Sequence, residues 1–252
     1  GAGTWKPWTT CLPDQALPPP PAVGSAEFAA AVQELVDVSE SLDDMTRMQA
    51  EMWGLGPGTI TPPGHWIVEF AKFLEADDVI VEDQAAALAM LTTIEADAGI
   101  AIWREKYRYG LIRPIDVIQN TIDRTWQPLL VTPNFPAYPS GHSGFSAAGA
   151  LLIGTLSPRD AGQAAIDAAA AGDSRILGGI HYWFDNAQGM RLGEAITRSC
   201  LAAAGITPLE RASAIPLANY ASAPRAEADE TDNTTGSSAP SSTSAATTSP
   251  AT

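Results

Sequence analysis

The stretch PSGHSGFSAAGALLIGTL, Pro139 to Leu156, decides the fold. A proline closes the preceding loop, Ser140 stands where an N-cap is wanted, and Gly141 follows in the first turn. Residues 145–156 are then apolar and rich in Ala and Gly, without charge. A helix apolar on all sides is a buried helix, and small residues let its neighbours approach closely. The run is too short to cross a membrane, so it predicts the centre of a helical bundle.

Working outward, the same period recurs. Ser25 caps a helix carrying Phe28, Val32, Leu35 and Leu42, expected to run to about Trp53. Gly54, Gly56, Pro57, Gly58, Pro62, Pro63 and Gly64 predict a long turn, followed by a short helix over residues 65–75. The next helix opens at Asp78 or Glu82, carries Leu88, Leu91, Ile94, Ile100 and Trp103, and fades near Tyr109. Pro114 and residues 132–139 mark a loop-rich segment. Helices over about 141–155, 159–177 and 186–204 complete the set. No alternating apolar pattern is present, so the fold class is all-α.

The ends read differently. Residues 1–24, with Trp5, Trp8 and the run Pro18 to Pro21, predict an extended N-terminal arm. Residues 25–220 form the helical domain. Residues 221–252 are Ser, Thr, Ala, Pro and acids, a composition that predicts a disordered tail. Cys11 and Cys200 match no zinc or redox spacing; they are two unrelated thiols or a staple between arm and last helix. The expected location is secreted or periplasmic.

The formal charge of -15 excludes non-specific nucleic-acid binding. No run of about eighteen apolar residues is found, so no membrane span is expected. In so acidic a chain, local clusters of cations stand out. Lys106 and Arg113 lie seven apart at a helix end, and Arg175 precedes His181 and Asp185. Two of the three histidines, His142 and His181, fall in these segments. A helix N-terminus at Ser140–Gly141 suits an anion, because free N–H groups and the dipole end point outward. Arg113 and Arg175 supply planar forks for a tetrahedral oxyanion, and Lys106 a point charge. His142 is placed to move a proton; His181 offers a nitrogen as ligand or nucleophile. Asp185, four residues on, would share its face on a helix and orient a neighbour. Alone, each segment is ordinary: a loop-to-helix start, two surface charges, a core histidine. Their conjunction is not.

In order, Lys-x6-Arg-Pro, Pro-Ser-Gly-His and Ser-Arg-x5-His-x3-Asp resemble the three-part signature of vanadium-dependent haloperoxidases and type 2 phosphatidic acid phosphatases. The resemblance implies a helical bundle binding vanadate or phosphate. Lys106, Arg113, Ser140, Gly141 and Arg175 would hold the oxyanion, and His142 would act as acid and base. His181 would be the vanadium ligand of a peroxidase or the phosphorylated nucleophile of a phosphatase. Trp103, three residues before Lys106, and Phe135, five before Ser140, are similar to the halide-side aromatics of chloroperoxidases. Ser143 resembles the bacterial members and would join that halide pocket. The stretch Gly56-Pro-Gly-Thr59 with Pro62-Pro-Gly-His-Trp66 is also similar to bacterial relatives; His65 would brace the turn without a catalytic role.

The expected function is therefore halide oxidation by hydrogen peroxide with vanadate as cofactor, acting on a small organic substrate. A soluble acid phosphatase working through phosphohistidine is the alternative, and a non-catalytic oxyanion-binding relative the second. The chain carries helices for about one bundle, where this family commonly has two.

Overall fold

A computed structural model describes residues 1–9 and 17–208. The helices are α1 (Ala26–Ser41), α2 (Asp44–Met52), α3 (Thr61–Ala76), α4 (Val81–Tyr109), α5 (Pro114–Thr121), α6 (Gly141–Leu156), α7 (Ala161–Leu177) and α8 (Trp183–Ala203). A 3-10 turn at Ala2–Thr4 precedes them, and the described residues contain no strand. The fold is an all-α bundle. Cys11 and the 221–252 tail lie outside the described residues.

Helix α6 is the axis of the bundle, packed by α3, α4, α7 and α8. Almost every residue from Gly141 to Gly154 is buried, as its lack of a polar face demands. Its glycines set the approach of its neighbours. A Cβ on Gly149 would stand 2.8 Å from the indole of Trp66, whose Nε1 donates to Ser146 Oγ at 3.0 Å. Gly193 of α8 lies directly against the Gly144 carbonyl. The helices therefore pack backbone to backbone where α6 meets α8.

Three local expectations are corrected. The single helix predicted from Ser25 to Trp53 is two, because Asp43 starts α2 through a capping box with Thr46. Pro62 and Pro63 belong to α3 rather than to the turn before it, since first-turn N–H groups need no helical partner. The same rule puts Pro114 at the start of α5, inside a segment expected to be loop. At the other end of α4, Gly110 takes the left-handed conformation (φ 61°) that ends the helix.

Residues Val81–Thr121 are long and apolar enough, by length and composition, to cross a membrane, contrary to the expectation of no span. Helix α4 is nevertheless packed by α3, α6 and α8, and its buried residues include Glu95, Asp97, Glu105 and Lys106. That is the pattern of a core helix. Asp97 is tied to the arm, accepting from the backbone N–H groups of Trp8 at 2.6 Å and Thr9 at 3.0 Å. Farther along, Tyr109 donates to Leu17 O and Tyr138 to Pro18 O, at 2.5 and 2.6 Å, which lays the start of the proline run on the bundle.

Candidate functional site

The chemistry-bearing segments converge at one end of the bundle. Lys106 is in the last turn of α4 and Arg175 in the last turn of α7, where the carbonyl end of a helix favours a cation. Arg113 caps α5, Ser140 caps α6, and His181 sits in the turn before α8. Ser140 N donates to Asp185 O at 2.9 Å, joining the starts of α6 and α8.

His181 is almost fully buried. Arg113 Nη1 stands 3.1 Å from its Nε2 and also donates to Ile180 O at 2.6 Å. A guanidinium can only donate, so Nε2 carries the lone pair and the ring proton sits on Nδ1. That proton is given to Asp185 Oδ2 at 2.8 Å, which also accepts from Tyr182 N at 3.1 Å. Asp185 thus reaches back from the first turn of α8; His181 precedes that helix, so the expected shared helical face is not the geometry. Burial, then the charges of Arg113 and Lys106, hold the His181 imidazole neutral, well below its ordinary pKa. Burial pushes Asp185 up to about 7, against the opposing pull of Lys106, the Tyr182 N–H and Arg113.

The cations are fixed by backbone carbonyls. Lys106 is fully buried and donates to Pro136 O and Ala137 O, both at 2.8 Å. An ammonium has a third proton still to place. Desolvation, and secondarily Arg113, bring its pKa well below 10.5. Arg113 Nε donates to Phe135 O at 2.8 Å, while Nη2 is buried with no hydrogen-bond partner among the described residues. Arg175 donates from Nε to Ser174 Oγ at 2.9 Å and from Nη2 to Trp53 O at 2.6 Å. Burial lowers the two guanidinium groups only to about 10 and about 9, so both stay charged at neutral pH.

His142 is half-buried and places Nε2 3.2 Å from Gly54 O. A carbonyl only accepts, so Nε2 carries the proton and Nδ1 is the basic nitrogen. Burial and the Arg175 charge lower its pKa well below 6.5.

Beside these groups lies a cavity of about 810 Å³. Gly141, His142, Arg175, His181, Trp103, Phe135 and Phe145 line it, with the segments 54–57 and 130–135. Lys106, Arg113 and Ser140 stand behind that lining. Trp103 and Phe135 face each other with ring centroids 5.2 Å apart. Lys106 Nζ lies 5.2 Å from the Phe135 centroid and 6.0 Å from that of Trp103. The two aromatics therefore flank the cationic end, and Trp103 also packs against the edge of the bundle core through Phe145.

Ser143 differs from the expectation that put it in a halide pocket. It is fully buried and outside the cavity lining; its Oγ donates to Asn186 Oδ1 at 2.6 Å and lies 2.8 Å from Ser140 Oγ. Its place is to orient the Ser140 hydroxyl. His65 packs edge-on to Trp53 at 4.7 Å, bracing the chain just before Gly54. The contacts of Trp53 O and Gly54 O with Arg175 and His142 had no sequence signal, because they are made by carbonyls that every residue has.

The donor set can be matched to the kind of ligand it suits. Among the described residues no three His, Cys, Asp or Glu side chains cluster to hold a metal cation. Three buried cations, one of them with an unpaired Nη2, fit an oxyanion instead. A vanadate or phosphate group carries the charge and the acceptor oxygens that these donors lack.

A family model described as "VCPO second helical-bundle domain" matches residues 86–170. Among solved structures, a bacterial vanadium-dependent iodoperoxidase is 28% identical, with a TM-score of 0.68 over 76% of this chain and 52% of that one. The apo form of a bacterial vanadium-dependent chloroperoxidase shares the fold at 15% identity, TM-score 0.61, over 80% of this chain and 55% of that one. Its holo counterpart does so at 16% identity, TM-score 0.54, over 69% and 46%. The chain spans about half the length of these structures. No curated protein matches it significantly.

Proposed function

Given that the chain belongs to the superfamily of vanadium haloperoxidases and acid phosphatases, we propose that its cationic pocket is the vanadate site of a haloperoxidase. The activity is halide oxidation by hydrogen peroxide. One observation carries the choice: Trp103 and Phe135 form an apolar wall beside Lys106 and lining the same cavity as His142 and His181. A halide must shed water to react, and it does so more readily against polarisable rings near a cation, where charge–charge attraction is less screened. Hydrolysis of a solvated phosphate ester has no use for that wall.

His181 Nε2 would hold the cofactor in place of its present contact with Arg113 Nη1, the ring kept in that tautomer by the Nδ1–H to Asp185. Arg113 Nη2, the third proton of Lys106, Arg175 and the N-terminus of α6 at Gly141 would hold the oxygens. Bound vanadate supplies Lewis acidity that activates peroxide without a change in oxidation state. His142, held neutral by burial, would take a proton from incoming peroxide and return it to the departing oxygen. Trp103 and Phe135 would keep water from the halide.

A paired assay tests this. Purified protein with vanadate, peroxide and bromide should brominate an organic acceptor, and without vanadate should not. Phosphomonoester hydrolysis in place of bromination would instead establish the acid phosphatase.

A further inference from the structure

Helix α2 lends its backbone to the site, yet little fastens it to the bundle. Carbonyls at the end of a helix have no partner within it. At the end of α2 the site takes them. Arg175 Nη2 donates to Trp53 O at 2.6 Å and lies 3.4 Å from Ala50 O, and His142 Nε2 stands 3.2 Å from Gly54 O. Burial, then Arg175, lowers the His142 pKa, and the Gly54 and Trp53 carbonyls pull against them. Between its caps α2 buries Ala50, while Met45, Met48 and Met52 are exposed. Trp53 is what ties this end down. Its buried ring joins the central apolar cluster, stacked on Trp66 at 6.5 Å and edge-on to His65 at 4.7 Å. Trp66 is pinned in turn by Ser146 of α6. The Trp53 Nε1 is buried with no hydrogen-bond partner among the described residues, so ring packing sets where the indole sits.

We infer that Trp53 is a positioning residue: its ring, packed on His65 and Trp66, holds the carbonyls that orient His142 and Arg175. A hydrogen bond already at 3.2 Å has little length to spare, so a small drift of the α2 end would release the imidazole. Any effect on turnover rests on the activity proposed above. The orientation of the two side chains does not.

The experiment is nuclear magnetic resonance on protein labelled at the histidine ring nitrogens, without vanadate. It compares wild type with Trp53→Phe, Trp53→Ala and His65→Ala. The chain has three histidines, and His142→Gln assigns the signal of interest. Wild type should carry the His142 proton on Nε2. Phenylalanine keeps a ring and, Nε1 being unpaired, forfeits no hydrogen bond, so Trp53→Phe should preserve that tautomer. Trp53→Ala and His65→Ala should lower the ratio of Nε2–H to Nδ1–H about fivefold, the worth of one neutral hydrogen bond. A lower melting temperature with the ratio unchanged would reduce Trp53 to a structural residue and overturn the inference. So would a wild-type proton on Nδ1, or a Trp53→Phe ratio as low as that of Trp53→Ala. Should Trp53→Ala not fold, His65→Ala decides, because it removes the edge-on contact and leaves the indole in place. Titration with inorganic vanadate reads the Arg175 side: both alanine variants should bind about tenfold more weakly than wild type, and equal affinity overturns the claim on Arg175. If wild type binds no vanadate, the proposed function falls and the tautomer ratio still decides the role of Trp53.

Discussion

Asp185 presents one oxygen, Oδ2, to His181 Nδ1 at 2.8 Å, while its other oxygen, Oδ1, is buried with no hydrogen-bond partner among the described residues. The carboxylate is thus committed to the imidazole and the Tyr182 N–H, at the cost of leaving one acceptor idle. Groups that orient a ligating histidine typically contribute ~10–100-fold to affinity. Asp185→Ala should therefore weaken vanadate binding by about that factor, and His181→Ala should abolish vanadate-dependent activity. Equilibrium titration with vanadate checks both; full affinity retained in His181→Ala would show that the wrong histidine has been assigned.

His142 touches Gly54 O and lines the cavity, but no cation is held by it. Its removal should leave the oxyanion grip whole. His142→Ala is expected to keep vanadate affinity within a few-fold and to lose ~10²–10⁴-fold in turnover, the usual worth of positioned proton transfer. Turnover unchanged across the pH range would take His142 out of the mechanism.

The wall made by Trp103 and Phe135 should separate halide from oxyanion. Replacing both by Ala removes the apolar surface beside Lys106 but none of its carbonyl contacts at Pro136 and Ala137. Halide oxidation should fall at least tenfold, on the order of 1.4 kcal/mol at the transition state, with vanadate affinity nearly constant. Comparing kcat/KM for bromide with the vanadate Kd decides this, and a parallel fall in both would contradict it.

Stability should depend on pH through the buried histidines. Both have folded-state pKa values below the 6.5 of the unfolded chain. Below about pH 6.5 the unfolded state binds more protons, so stability is present above that pH and lost as pH falls. Asp185 acts in the opposite sense: raised from 3.8 to about 7, it contributes below 3.8 and loses that contribution as pH rises through 7. Substituting His142 by Gln removes one titrating histidine and should lower the slope of unfolding free energy against pH by up to about 1.4 kcal/mol per unit. Urea denaturation between pH 5 and 7 measures it; identical slopes would mean that His142 is protonated in the fold.

The sequence by itself determined the helical class and the segments from which the site is built. An uncharged, small-residue run after Pro139-Ser140-Gly141 has few ways to be buried other than as a central helix, and cations in so acidic a chain are conspicuous. Proline and aspartate at helix starts were the weak point. Pro62, Pro114 and Asp43 each begin a helix where a break or a continuous run was expected, because the same residues serve turns and first helical turns alike.

Only the tertiary structure decided how the segments meet. Lys106 and Arg113 reach carbonyls near residue 136, Arg113 reaches His181 across 68 positions, and Arg175 reaches Trp53 across 122. Ser143 turned to Asn186 instead of the cavity. The physical reason is common to all of these. Burial desolvates a polar atom wherever the bundle happens to place it, and its partner is then whichever backbone or side-chain group the packing of α2, α4, α6, α7 and α8 brings within 3 Å, which no local pattern of residues encodes.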